Sequence, residues 1–140
     1  MTARPPDLLV DTSVSVPLVV ADHDHHTTVI HEVGGLHLGL AGHAAFETFS
    51  VLTRLPPPAR RTPGSVQRLL EQNFPATRFL PADAAERLQG ELAALGIAGG
   101  AVYDALVAAT ARAHAAELAT RDLRAVETYR AFGVQIRLIA

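Results

Sequence analysis

Residues 101–126 read AVYDALVAATARAHAAELATRDLRAV. The first part is Ala-rich and apolar on most faces, which predicts a buried helix over 100–116. ELAT (117–120) follows as a short apolar run. Asp122 then stands where a helix N-cap belongs, and DLRAVETYRAFG (122–133) reads as a second helix that stops at Gly133. The next run, VQIRLI (134–139), alternates Val134, Ile136 and Leu138 against Gln135 and Arg137. That pattern predicts a half-exposed strand at a sheet edge. Helix, strand, helix, strand is the signature of parallel α/β construction.

The rest of the chain follows the same rhythm. DLLV (7–10), LHLGLA (36–41) and TRFL (77–80) complete a set of five apolar or β-favouring runs. VSVPLVV (14–20), HAAFETFSVLTRL (43–55, ended by the prolines at 56–58) and TPGSVQRLLEQNF (62–74) are helical candidates. HHTTVIHEV (25–33) is another, although its β-branched residues argue against it. DAAERLQGELAALG (83–96) has Asp83 and Glu86 in capping-box spacing and closes at Gly96. The expected fold is α/β: three layers, with a mostly parallel central sheet of about five strands flanked by helices. No repeat or linker divides residues 1–140, so a single domain is expected.

Composition narrows the function. Apolar residues make up 49% and charged residues 19%, which excludes disorder. No apolar run reaches the roughly 18 residues of a membrane span. MTARPPDLLVD carries Asp7 and Asp11 where a signal peptide has its uncharged core, so a cytoplasmic protein is expected. The absence of cysteine excludes disulfides, thiolate metal sites and a cysteine nucleophile. Net charge is −2, so a nucleic-acid partner needs a local basic patch. With two Tyr, five Phe and no Trp, base stacking is not expected to be a large feature.

The chemistry rests on acids. In open α/β sheets ligands bind outside the carboxyl ends of the strands. Asp11 closes the first run and Asp122 follows the fourth, so neighbouring strands would set both on one rim. Each is equally readable as a helix N-cap. Asp104 lies in the first turns of an apolar helix. A helix N-terminus stabilises a negative charge by about 0.3–1 kcal/mol, too little to offset deep burial. His43, Glu47, Ser50 and Arg54 form one helix stripe, which alone reads as a solvated face. Thr12, Ser13 and Thr120 are hydroxyls placed to orient a carboxylate. The histidines of residues 23–31 read as a solvated loop, and His37, His43 and His114 receive no role.

Taken in order, LLVDTS (8–13), AAFETFSVLTRL (44–55), YDALVAATARAHAAELATRD (103–122) and AFGVQIRLI (131–139) resemble the PIN domain family, and within it the VapC-type toxins of toxin–antitoxin pairs. The resemblance implies a Mg²⁺- or Mn²⁺-dependent endoribonuclease, an antitoxin partner and a homodimer. It assigns metal-binding and catalytic acids to Asp11, Glu47, Asp104 and Asp122, with Thr12 or Ser13 and Thr120 as supporting hydroxyls. Many members carry a further acid or Asn shortly after the fourth acid. Here Leu123, Arg124 and Ala125 follow, which puts a complete second metal site in doubt. An acidic pocket repels RNA, so Arg54, Arg121 and Arg124 are expected to guide the strand. Two alternatives stand beside this reading. One is a non-catalytic PIN-like module that binds RNA or protein. The other is a small-molecule phosphatase with Asp11 as nucleophile, although Ser13 occupies the place of the second Asp such enzymes use.

Overall fold

The computed structural model describes residues 4–140. Its first strand, β1 (Leu8–Val10), is wholly buried and central. The chain continues through α1 (Thr12–Val19) and α2 (His26–Val33) to β2 (Leu38–Leu40). Three helices follow: α3 (His43–Thr53), α4 (Pro63–Asn73) and α5 (Ala82–Leu95). The last third comprises α6 (Ala101–Ala113), β3 (Leu118–Thr120), α7 (Leu123–Ala131) and β4 (Ile136–Leu138). The strands are ordered β2-β1-β3-β4, and every pairing is parallel.

Alternation along the strands makes the three layers. Leu9 and Leu118 point into one core with the alanines of α6, Tyr129 and Phe132. Leu8, Val10 and Ala119 point into the other, with Val14, Val29 and Val33 of α1 and α2. The small residues of α6 let that helix lie close to its neighbours: Ala105, Ala108, Ala109 and Ala111 are all buried. The chain leaves β1 toward β2 on one side, while β3 lies on the other. The switch in strand order therefore falls at β1 and β3, where α/β sheets open a crevice.

Four strands form rather than about five. The run at 77–80 contributes one isolated bridge, Ala41 to Arg78. Thr77 explains the shortfall, because its Oγ1 rather than a main-chain carbonyl accepts the Leu40 N–H, at 3.0 Å. The segment still lies hard against β2. A Cβ on Gly39 would sit 2.1 Å from the Ala76 carbonyl oxygen, so only glycine fits there. The capping box at Asp83 and Glu86 does not form either. The helix starts two residues earlier, with Pro81 rather than Asp83 as N-cap, and this leaves Asp83 inside the first turn. Its other end is as expected, with Gly96 in the left-handed region at φ 68°. β4 is the expected edge strand. Leu138 is exposed, and Ile139 on the opposite face is buried in the second core instead.

Candidate active site

Asp11 leaves β1 on the same face as Leu9 and becomes the N-cap of α1, where its Oδ1 accepts the Ser13 N–H at 3.1 Å. Asp122 leaves β3 in the same way and caps α7, accepting the Arg124 N–H at 3.0 Å. Both caps are real, and both carboxylates are also in the crevice. A cavity of about 60 Å³ is lined by Asp11, Thr12, Ser13, Glu47, Asp104, Asp122 and Tyr129, together with Val107. The four acids singled out in the sequence thus share one pocket. They arrive from β1, α3, α6 and the end of β3.

Asp11 is the most enclosed of them, at 4% exposure. Four donors reach its two oxygens. Oδ1 takes the Ser13 N–H and the Ser13 hydroxyl, the latter at 2.5 Å. Oδ2 takes the Thr120 hydroxyl at 2.5 Å and the Tyr129 hydroxyl at 2.8 Å. A carboxylate has about four acceptor positions, so a cation bound by Asp11 would take the place of one of these donors. Burial pushes its carboxyl above the usual carboxylate range. The donors from Ser13, Thr120 and Tyr129 pull it back, and the charge of Asp122 adds to the rise. Ser13 and Thr120 are themselves held: Ser13 Oγ accepts the Arg121 N–H at 2.8 Å, and Thr120 Oγ1 accepts the Asp122 N–H at 3.0 Å.

Asp104 sits in the first turn of α6. Its carboxyl is also raised, first by burial and then by the charges of Asp122, Glu47 and Asp11, against which Arg124 acts. Crowded like charges are the electrostatic signature of a cation site. Glu47 accepts from the Thr12 hydroxyl at 3.4 Å and lies 3.1 Å from His43 Nε2. The donor set is all oxygen and anionic, which suits a hard divalent cation. Among the described residues no three His, Asp or Glu side chains already form a closed cage. The set fits such an ion by the chemistry of its donors, which share one pocket.

The three arginines separate. Arg124 lines an outer cavity of about 490 Å³ that shares Glu47, Asp104 and Asp122 with the acid pocket. Its side chain is 92% exposed and pairs with Asp122 at 3.4 Å. Arg54 caps the far end of α3 and lines neither cavity. Arg121 is tied by Nε to the Ala140 carbonyl at 3.4 Å and lines neither as well.

Two residues given no part by the sequence belong to the site. Tyr129, 2% exposed, donates to Asp11, and burial followed by the Asp11 charge drives its hydroxyl to remain protonated. A buried tyrosine needs a partner for its O–H, and that requirement was the available signal. His43 lines the outer cavity and stands one helical turn before Glu47. Its i, i+4 spacing to Glu47 was visible, but the stripe read as solvent-facing.

Geometry and sequence comparison agree on the class. The sequence model of the PIN domain matches residues 8–131, and the chain belongs to the PIN domain family. It is 48% identical over 135 residues to Ribonuclease VapC27 of Mycobacterium tuberculosis strain H37Rv, covering 96% of this chain and 98% of that protein. Ribonuclease VapC40 of the same strain is 45% identical over 132 residues, covering 92% and 96%. Among solved structures, VapBC2 from Rickettsia felis bound to a promoter DNA fragment has a chain that superposes with a TM-score of 0.65. That match has 14% identity and covers 95% of this chain and 98% of the other. At that identity the likeness speaks for the fold. Among the described residues no helix is long and apolar enough to cross a membrane.

Proposed function

We propose that this single PIN-like domain is a metal-dependent endoribonuclease and the toxin of a VapBC-type toxin–antitoxin pair. The observation that carries the reading is the convergence of Asp11, Glu47, Asp104 and Asp122 on one pocket. Two relatives of 45% and 48% identity, both named ribonucleases, support it.

Asp11, Glu47, Asp104 and Asp122 would hold a Mg²⁺ or Mn²⁺ ion. Such an ion, when bound, lowers the pKa of a coordinated water and offsets charge on phosphate oxygens. The protein's own part is positional. Ser13, Thr120 and Tyr129 fix the Asp11 carboxylate by hydrogen bonds, and Thr12 orients Glu47. Arg124, at the mouth, offers the pocket's nearest cation to an approaching phosphate. The burial of Asp11 weakens the phosphatase alternative, because a carboxylate that is 4% exposed is poorly placed to reach the phosphorus of a substrate.

The reading includes two protein contacts. One is an antitoxin that covers the acid pocket. The other is a second copy of the chain: Phe46 and Phe79 are exposed, with rings 5.9 Å apart, at an apolar groove lined by α3 and α4. Incubation of the purified protein with total RNA, with Mg²⁺, Mn²⁺ or EDTA, tests the activity. New RNA ends that form with metal and vanish in EDTA are expected. Unchanged RNA under every condition would leave the non-catalytic module, and cleavage in EDTA would refute the metal.

A further inference from the structure

We propose that Tyr103, backed by His43, is the platform on which an unpaired RNA base stacks beside the acid pocket. This rests on the reading of the protein as a ribonuclease, and it assigns a substrate contact to residues outside the acids. Tyr103 precedes Asp104 in the first turn of α6, yet it is turned outward and 52% exposed. Its ring lies against the His43 imidazole with centroids 4.9 Å apart and planes 22° from parallel. His43 is in turn held by Glu47, 3.1 Å from its Nε2. Glu47, His43 and Tyr103 thus form a continuous link from the pocket to its rim, and the ring is braced before any substrate arrives.

The surroundings suit a nucleotide. Tyr103 and His43 line the outer cavity together with Glu47, Asp104, Asp122 and Arg124. At about 490 Å³ it lies within the range of small-ligand sites. The outer cavity shares Glu47, Asp104 and Asp122 with the acid pocket, so a nucleotide bound across the two would have the Tyr103 ring within its reach. Aromatic residues are few, and Phe74, Phe132 and Tyr129 are buried. Tyr103 is the exposed one that adjoins the acids, whereas the exposed Phe46 and Phe79 line a different groove. One platform agrees with the sparse aromatic content. Because every base has a π face, stacking should demand a base at one position with little regard to its identity.

The test uses an RNA oligomer that the wild-type protein cleaves, and versions carrying one abasic residue at each position around the cut. In the wild type, one abasic position should raise KM about five- to a hundredfold, the range that a base–aromatic stack supplies. Tyr103→Ala should raise KM on the intact oligomer to a similar extent and be indifferent to that abasic position. Tyr103→Phe should behave as wild type. Tyr103→Leu keeps bulk without a π face, so it should behave as the Ala variant and decides the matter if Tyr103→Ala misfolds. A readout independent of turnover is 2-aminopurine at the same position, bound to Asp104→Asn protein. Its fluorescence should fall on binding, and should not fall when Tyr103→Ala is added. Discrimination against the abasic position that persists in Tyr103→Ala and Tyr103→Leu overturns the platform while leaving the ribonuclease reading intact. So does an altered oligomeric state with unchanged KM, which would assign the ring to a contact between copies. Absence of cleavage by the wild type defeats the ribonuclease reading itself and is seen before any modified oligomer is used.

Discussion

Replacing Tyr129 by Phe removes a single oxygen, and its effect can be worked from the geometry. The hydroxyl donates to Asp11 Oδ2 at 2.8 Å, and both side chains are buried. A hydrogen bond to a charged partner contributes about 1.5–3 kcal/mol. The phenyl ring of Phe preserves the packing against the core around Leu9 and Phe132. Asp11 keeps Ser13 and Thr120 as donors but loses one of four. For 140 residues the unfolding entropy is about 0.3 kcal/mol/K, so Tm should fall by about 5–10 °C. Thermal unfolding in EDTA at pH 7 measures this. A double-mutant cycle with Asp11→Asn should show a coupling of at least about 1 kcal/mol. A Tm loss under about 2 °C, or additive effects in the cycle, would refute the claim that Tyr129 supports the Asp11 charge.

Three further outcomes are expected. Asp104→Asn should raise Tm of the metal-free protein at pH 7 and leave it nearly unchanged near pH 4. Its folded-state carboxyl is raised, so the stability linked to it is present below the ordinary carboxylate pKa and is lost as pH rises through the raised one. Equal shifts at both pH values in a thermal melt would contradict this. Gly39→Ala should cost at least about 2 kcal/mol in denaturant unfolding, since its Cβ would meet the Ala76 carbonyl; unchanged stability would refute that contact. The antitoxin should place a cation, Arg by preference, among the four acids to neutralise them. A structure of the complex with no partner cation in that pocket would refute it.

Much of the fold was legible because β1, β3 and the helices that follow them carry strong local signals. Leu8–Val10 is an apolar run followed at once by Asp11, Leu118–Thr120 is a short β-favouring run with Asp122 two residues on, and Gly96 ends α5 by its conformation. The misreadings have local physical causes. Thr77 looked like a strand residue, but its hydroxyl competes with the main chain for the Leu40 N–H. Asp83 and Glu86 had the right spacing for a cap, but the helix had already begun after Pro81. For Asp11 and Asp122 the choice between cap and site was false, because a side chain that caps a helix at a strand end already lies in the crevice. Tyr129 was missed for a different reason, since its need for a hydroxyl partner does not say which partner. A tyrosine on an amphipathic helix looks like core until the topology sets it against a carboxylate 118 residues earlier. Arg54 had the right helical face but lies nearly two turns beyond Glu47, and a face alone does not fix depth along the axis.

Manganese calorimetry on the wild-type protein and on Asp11→Asn, Glu47→Gln, Asp104→Asn and Asp122→Asn tests most directly whether these acids form one cation site. Saturable heat in the wild type, lost or greatly weakened in each variant while the circular dichroism spectrum is unchanged, is the predicted result. Wild-type-like binding in any two of the variants, or no binding by the wild type, would contradict the account.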